Sequence, residues 1–276
     1  MPNATLDTWR LILSPPESGA MNMAIDEALL EAVCEGLSAP TLRLYRWEPA
    51  CLSVGYAQSI GQVDRARLHR HGWDLVRRPT GGRAILHVDE LTYSVVAPAS
   101  HEVVAGGVLP SYQRLSTALC AALLRMGLRV ETHPASSLGD AARANPVCFE
   151  VPSAYELTVD GKKLVGSAQV RRRAGVLQHG SLPLRGDISR ILDGLRFEQE
   201  EERSGAAHRL LERAATVESL IGEAATWERA AECWILGFQD ALGLSLQQED
   251  LSDAEARGAA QLSVERYRNP SWTERV

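Results

Sequence analysis

Residues 77–87 read RRPTGGRAILH and residues 160–169 read DGKKLVGSAQ, and these two stretches decide the fold. The second stretch opens with Asp160-Gly161, a strong signal for a two-residue hairpin turn. Before it, Tyr155–Val159 alternates apolar and polar side chains, as a half-buried strand does. In the first stretch, residues 79–82 end a short strand and put two adjacent glycines in a loop. The two stretches together predict strands and hairpins around a ligand cavity.

The glycine loop is the predicted ligand cradle. Gly81 and Gly82 let the backbone approach a ligand closely, because neither carries a Cβ and both can adopt positive φ. A loop of this kind between strands suits an extended ligand with a carbonyl head and an apolar tail. The alternative is an ordinary turn whose arginines face solvent. The segment from Arg77 to His87 that contains this loop is the first part of the predicted site.

The strand after the hairpin turn supplies a second part of the predicted site. Gly166, Ser167 and Ala168 are small, so they leave space above the strand for a ligand. Lys162 and Lys163 are neighbours and point to opposite faces of a strand. One lysine can therefore face solvent while the other enters the cavity. The alternative is a pair of solvated lysines beside a turn.

Cys148, in PVCFEVPS, is the predicted nucleophile. It follows a polar loop of small residues that cannot pack as a core segment does. The other four cysteines lie in apolar stretches, where cysteine behaves as a small hydrophobic residue: Cys34, Cys51, Cys120 and Cys233. Five scattered cysteines without a CxxC pair form neither a disulfide framework nor a zinc site, which predicts reduced thiols, no metal and a cytoplasmic location.

Four quoted stretches, RRPTGGRAILH, CFEVPSAYEL, DGKKLVGSAQ and LQHGSLPL, resemble the superfamily of lipoate–protein ligases, octanoyltransferases and biotin–protein ligases. Within it, CFEVPSAYEL and LQHGSLPL resemble the cysteine-dependent octanoyltransferases of the Gram-positive type. The resemblance runs from about Trp9 to Leu184. It implies transfer of an octanoyl group from acyl carrier protein to a lysine of the glycine-cleavage H protein.

The resemblance also implies residue roles. Lys163 matches the superfamily lysine that contacts the acyl carbonyl, and Cys148 matches the cysteine that holds the acyl group. The loop that cradles the ligand is matched by Arg77, Arg78, Gly81, Gly82, Arg83 and His87. The ligases have a third glycine where Arg83 stands, and they have glycine and asparagine after the histidine that corresponds to His87. Both departures argue against an acyl-adenylate site. Because one thioester is exchanged for another, the chemistry needs neither ATP nor a cofactor.

Three alternatives remain at this point. An amidotransferase that moves octanoate between lipoyl domains shares the same cysteine and lysine. If Cys148 were incidental, Lys163 would orient a free fatty acid in an ATP-dependent lipoate–protein ligase. A lipoate-binding protein without activity could retain the pocket. His179 is predicted to be structural rather than an acid or base, and Ser181 has no G-x-S-x-G elbow that would make it a triad nucleophile.

Composition limits the partners. The chain has 276 residues and a net charge of −6, and aromatic residues do not alternate with basic ones, which argues against nucleic-acid binding. No apolar run is long enough to span a membrane. The basic residues near the site could instead form a rim that steers acidic acyl carrier proteins and lipoyl domains. The oligomeric state is left open, a monomer being one option.

The pattern of elements predicts an α+β fold, in which a mixed β-sheet with hairpins carries packed helices. We expect a catalytic domain over residues 1–196 and a helical C-terminal extension over residues 197–276 that packs on it. Glu198–Ser204 is predicted to be a charged linker between them.

Overall fold

The computed structural model of the protein describes residues 7–133, 156–172 and 174–276. Within these ranges the chain forms a large sheet and a small one. The strands are β1 Asp7–Leu13, β2 Thr41–Tyr45, β3 Cys51–Val54, β4 Asp74–Arg77, β5 Ile85–His87, β6 Glu90–Pro98, β7 Glu131–His133, β8 Glu156–Val159, β9 Lys162–Arg172, β10 Gly175–Pro183 and β11 Leu244–Gln248.

The helices lie between and after these strands. They are α1 Gly19–Cys34, α2 Arg65–His71, α3 Val108–Arg125, α4 Glu200–Arg213, α5 Val217–Ile221, α6 Trp227–Leu242, α7 Asp253–Leu262 and α8 Pro270–Thr273. Short 3₁₀ segments occupy Ile60–Gln62 and Ile188–Gly194, and a π-helical turn occupies Ser263–Tyr267. None of the described helices combines the length and the apolar character that crossing a membrane requires.

The large sheet has eight strands in the order β11-β1-β2-β6-β10-β9-β8-β7, and the small sheet has the order β4-β3-β5. Strand β1 runs parallel to β11 and β2, whereas β6, β10, β9 and β8 pair antiparallel in turn. The predicted hairpin between β8 and β9 is present, with Asp160 at φ 50° and Gly161 at φ 73° in its turn. The predicted α+β fold with a mixed sheet is confirmed.

Helices cover both faces of the large sheet. On one face, α1 packs against apolar side chains such as Val96 of β6 and Leu177 of β10. On the other face, α3 and α6 enclose a larger core that includes Tyr93, Trp234 and Phe238. Alternate residues of β10 therefore enter different cores, and the α1 side also holds the polar side chains of the candidate site.

The C-terminal region differs from its prediction in two respects. Residues 197–276 are not purely helical, because Leu244–Gln248 forms strand β11 at the edge of the large sheet. The predicted linker Glu198–Ser204 is also wrong, since α4 begins at Glu200. Glu200, Glu201 and Glu202 occupy its first turn, where negative charge is favoured by the helix dipole. The division of the chain at residue 196 stays a prediction, and both of its parts contribute to one sheet.

Candidate active site

A narrow cavity lies on the α1 side of the large sheet, beside the glycine loop. Six of the predicted binding residues line it: Arg78, Gly82, His87, Gly166, Ser167 and Ala168. The rest of its wall consists of Met23, Tyr45, Trp47, Ile85, Thr92, His179, Gly180 and Ser181. Gly81 lines the adjoining cleft with Tyr112, and Arg83 is partly exposed at the end of the loop.

The glycine loop is attached to the central sheet through a chain of three side chains. Thr80 Oγ1 lies 2.7 Å from His179 Nε2, and His179 Nδ1 lies 3.1 Å from Asp26 Oδ2. An ionised carboxylate only accepts hydrogen bonds, so Nδ1 carries the ring proton and the Thr80 hydroxyl donates to Nε2. The hydrogen bond between Thr80 and His179 holds the glycine loop over the cavity.

Asp26 is the anchor of this chain. It accepts further hydrogen bonds from Arg43 (2.9 Å), Tyr45 (3.0 Å) and Ser94 (2.8 Å). Burial alone would raise the pKa of Asp26, but the hydrogen bond from His179 and the charge of Arg43 hold it below its usual 3.8. Burial lowers the pKa of His179 below 6.5 in spite of the carboxylate beside it. The pair therefore consists of an ionised Asp26 and a neutral His179 at neutral pH.

A second hydrogen-bonded chain holds the ends of the loop. Arg78 Nη1 donates to Ser53 Oγ at 2.6 Å, and Ser53 Oγ lies 2.6 Å from His87 Nε2. His87 Nδ1 lies 2.7 Å from Glu90 Oε1. The His87 ring stacks on Trp47 with 3.9 Å between ring centroids, so the two rings form a flat side of the cavity. His87 therefore orients the wall and is itself held by Ser53 and Glu90.

The backbone of the loop packs closely against strand β3. A Cβ added to Gly55 would lie 2.0 Å from the carbonyl oxygen of Gly82, and Gly82 has φ +97°. Arg78 Nη2 donates to the carbonyls of Gly81 (3.1 Å) and Arg83 (2.9 Å). Gly55 therefore permits a close backbone approach between the two segments, and the loop wraps around the Arg78 guanidinium. The predicted close approach of Gly81 and Gly82 to a ligand stays a prediction.

Arg77 points away from the cavity, towards the C-terminus of the chain. Its side chain is 0% exposed, and it donates to the carbonyls of Gly55 (2.7 Å), Gln58 (2.7 Å) and Thr273 (2.8 Å). Burial lowers the pKa of Arg77, and Arg275 contributes to the shift. These contacts support a structural role. The predicted exposed basic rim is wrong for Arg77 and Arg78, because both guanidinium groups are buried among carbonyls.

Lys163 faces the cavity side of the sheet because of a bulge. Leu157 pairs with Val165 and Thr158 pairs with Lys163, so Leu164 is an extra residue on β9. Leu157 and Val165 enter the α3–α6 core, and residues paired directly across two strands share a face. The bulge thus turns Lys163 to the opposite face. Its side chain is 3% exposed.

Lys162 lies at the protein surface, where one of the two neighbouring lysines was predicted to lie. Its Nζ donates to the carbonyl of Leu211 at the surface, at 2.9 Å. Lys163 precedes Gly166 by three residues on the strand that lines the cavity. The arrangement places the buried lysine at one end of the row of small residues.

Cys148 lies outside the described residues, and its predicted role remains untested by geometry. The other four cysteines are packed in the fold. Cys51 and Cys233 are buried, and Cys34 and Cys120 are partly exposed. Burial raises the pKa of Cys51, Cys120 and Cys233, which makes their thiols poor nucleophiles. The described residues include no group of histidine, cysteine and acidic side chains suited to a metal ion.

Sequence reasoning missed several partners that hold the site. Asp26, Ser53, Thr80 and Glu90 were not singled out, although all four are buried. The sequence does carry a signal for Asp26, since the acid lies within the apolar helix stretch MNMAIDEALL. A buried acid requires partners, and here they are supplied by β2, β6 and β10.

Residues 18–239 match the family model of the lipoyl protein ligase A/B catalytic domain. The chain belongs to this family. The curated relatives include Octanoyltransferase LipM of Oceanobacillus iheyensis, 38% identical over 95% of both chains. Octanoyltransferase LipM of Kyrpidia tusciae is 40% identical over 98% of this chain and 100% of its own.

Solved structures of family members have the same fold. A structure from Thermoplasma acidophilum, titled as a bi-partite lipoate protein ligase and its E2 lipoyl domain, covers 97% of this chain and 96% of its own with a TM-score of 0.81 at 23% identity. The structure of lipoate-protein ligase A bound with ATP covers 97% of this chain and 98% of its own, with a TM-score of 0.78 at 22% identity. At these identities the similarity establishes the fold alone.

Proposed function

We propose that the protein is an octanoyltransferase of lipoate biosynthesis, which carries the octanoyl group as a thioester on Cys148. The observation that carries the proposal is near-full-length similarity, at 35–40% identity, to relatives named Octanoyltransferase LipM. The cavity supports it, because a narrow slot with mostly apolar walls suits an unbranched acyl chain. A soluble location in the cytoplasm and the absence of a cofactor are parts of the proposal.

The acyl donor in the proposal is octanoyl-acyl carrier protein, and the acceptor is the lipoyl-domain lysine of the glycine-cleavage H protein. The Cys148 thiolate attacks the donor thioester carbonyl, and the carrier's thiolate leaves with the electron pair of the broken C–S bond. Lys163 is the cation that lowers the pKa of the Cys148 thiol and thereby increases the thiolate fraction. The exchange of one thioester for another requires no ATP.

The second half of the reaction forms an amide. The neutral amine of the acceptor lysine attacks the Cys148 thioester, and the Cys148 thiolate leaves. The amine loses a proton, which the released Cys148 thiolate can take up. An amide is more stable than a thioester, so this step drives the transfer to completion.

Intact-mass spectrometry tests the proposal. The protein is mixed with octanoyl-acyl carrier protein without ATP, and apo H protein is added afterwards. We expect a hydroxylamine-sensitive octanoyl adduct that Cys148→Ala abolishes and that the matched variant Cys120→Ala retains. The adduct should disappear as the H protein becomes octanoylated.

Two results contradict the proposal in different ways. An adduct that forms only from an octanoylated lipoyl domain indicates an amidotransferase. Acylation that requires free octanoate and ATP, without any adduct, indicates a ligase.

A further inference from the structure

One hydroxyl group in the cavity wall has no partner among the described residues. Ser181 is 1% exposed, and its Oγ makes no hydrogen bond in the described part of the chain. A buried hydroxyl without a partner is unfavourable, because it has lost its hydrogen bonds to water. Such a group in a ligand cavity indicates that the ligand supplies the missing partner.

The other hydroxyl groups that line the cavity are already engaged. Tyr45 donates to Asp26, Thr92 bonds to Glu90 and Trp47, and Ser167 bonds to Tyr93. Within the described wall, Ser181 is therefore the hydroxyl that remains available to a ligand.

The surroundings of Ser181 leave room for that ligand. Ser181 lies in the middle of the sheet, paired with Gly166 of β9 on one side and Thr92 of β6 on the other. Both neighbours line the cavity, and Gly166 has no side chain to fill the space next to the hydroxyl. Lys163 precedes Gly166 by three residues, which is roughly 10 Å along a strand. Lys163 therefore lies beyond Gly166 on the strand that borders Ser181.

We propose that Ser181 donates its hydroxyl hydrogen to the carbonyl oxygen of the bound acyl group, and that this donor stabilises the oxyanion of the tetrahedral intermediates. The proposal rests on the proposed function. An octanoyl group is a hydrocarbon chain with a single hydrogen-bond acceptor, which is its carbonyl oxygen. The unpartnered hydroxyl and that oxygen are complementary.

The hydroxyl keeps its proton throughout the reaction. When the Cys148 thiolate attacks, the C=O electron pair moves onto oxygen, and the Ser181 O–H bond points at the charge that develops. The oxyanion then collapses and expels the carrier's thiolate. The same donor serves the second intermediate, from which the Cys148 thiolate leaves after attack by the acceptor amine. Strand β10 is paired on both edges at Ser181, so the donor is held close to its place and little reorganisation is needed when the charge develops.

The test compares Ser181→Ala with Ser263→Ala. Ser263 is the matched control, because its Oγ is also buried and without a partner in the described chain, but it lies in the π-helical turn and not in the cavity wall. We expect Ser181→Ala to slow octanoyl-thioester formation by about 10²-fold, the usual effect of removing one oxyanion donor. Thermal unfolding should show both variants to be folded, since each loses an unpaired group. Ser263→Ala should acylate at the wild-type rate.

Infrared spectroscopy separates a direct contact from a structural effect. The acyl-enzyme is prepared with octanoate labelled with ¹³C at the carbonyl, and the carbonyl stretch is obtained by isotope difference. A hydrogen bond lowers this frequency, so it should rise in Ser181→Ala and stay unchanged in Ser263→Ala. An unchanged rate or an unchanged carbonyl frequency in Ser181→Ala overturns the proposal. Failure of the wild-type protein to form any thioester contradicts the proposed function instead.

Discussion

Thr80 and His179 are joined by a hydrogen bond of 2.7 Å between Oγ1 and Nε2, and this contact connects the glycine loop to the central strand β10. The two residues are 99 positions apart in the sequence. His179 is held in turn by Asp26 of α1, so three elements that are distant in the chain determine where the loop lies. The shape of the cavity therefore depends on a side-chain contact that no single motif contains.

Removal of the Thr80 hydroxyl tests this dependence. Thr80→Val keeps the shape of the side chain but leaves His179 Nε2 without a donor, which costs about 1–3 kcal/mol. We expect a lower unfolding free energy, measured by chemical denaturation, and a higher KM for the acyl donor because the loop is less well fixed. Thr80→Ser retains the hydroxyl, so its unfolding free energy and its KM for the acyl donor should stay close to those of the wild type. Equal KM values for Thr80→Val and the wild type would show that the loop is held by other contacts.

The His179–Asp26 pair predicts how stability depends on pH. The pKa of His179 is below 6.5 in the folded protein because the side chain is buried. In acid below that value, the unfolded chain binds a proton on this residue that the folded protein does not, so the unfolding free energy decreases as the pH falls. We expect denaturation at pH 7.5 and 5.5 to show this loss, and a smaller loss in His179→Gln. If the wild type and His179→Gln lost stability equally between these pH values, the lowered pKa of His179 would be contradicted.

Arg77 is predicted to fasten the C-terminal tail. Arg77→Met leaves the buried carbonyls of Gly55, Gln58 and Thr273 without this donor, so we expect a loss of about 3 kcal/mol in unfolding free energy. Hydrogen exchange in residues 270–276 should become faster. Arg65→Met is the matched control, because Arg65 forms an exposed ion pair with Glu274 of the same tail, worth at most about 1 kcal/mol. Equal exchange in the two variants would argue against the role of Arg77.

The two neighbouring lysines allow a controlled test of the proposed thiolate activation. Lys163→Met removes the buried cation, and the pKa of the Cys148 thiol should rise by about one unit or more. The pH profile of alkylation by iodoacetamide, followed at Cys148 by mass spectrometry, measures this shift. Lys162→Met removes a cation at the surface and should leave the profile unchanged. Superimposable profiles for the two variants would remove the activating role of Lys163.

Glu255 of α7 provides a stability test outside the site. Its carboxylate accepts from Arg10 of β1 at 2.7 Å and 3.0 Å, and this pairing outweighs burial and lowers its pKa from 4.5 to about 2. That shift corresponds to roughly 3 kcal/mol of stability, present above pH 4.5 and lost as the pH falls towards 2. Glu255→Gln should lower the unfolding free energy by this amount at pH 7. The more exposed neighbour Glu249 is the control, and Glu249→Gln should change the unfolding free energy less.

Local patterns were sufficient for the elements that form between close neighbours in the sequence. The β8–β9 hairpin was predictable because Asp160-Gly161 supplies the turn and the flanking runs supply the alternation. The face of Lys163 required the structure, since the bulge at Leu164 changes the alternation of β9 and no residue type marks it. Strand β11 was missed because LSLQQ is short and half polar, and its stability comes from pairing with β1, more than 230 residues away.

The roles of the two arginines show the same limit. Both were placed in the ligand cradle by the resemblance of RRPTGGRAILH to the superfamily loop. The partners of Arg77 include Thr273, 196 residues along the chain, which no local pattern reveals. Arg78 does line the cavity, but its guanidinium donates hydrogen bonds to the loop's own carbonyls and to Ser53. The sequence identified the correct segment, but of its two adjacent arginines only Arg78 lines the cavity, and Arg77 points away from it.

The pairing of β1 with β11 has a consequence for synthesis of the protein on the ribosome. Strand β1 leaves the ribosome first, and one of its edges stays unpaired until residues 244–248 have emerged. An unpaired edge strand readily pairs with other chains. The large sheet therefore gains its edge strand β11 only after residues 244–248 have been made, and until then the open edge of β1 exposes the nascent protein to aggregation.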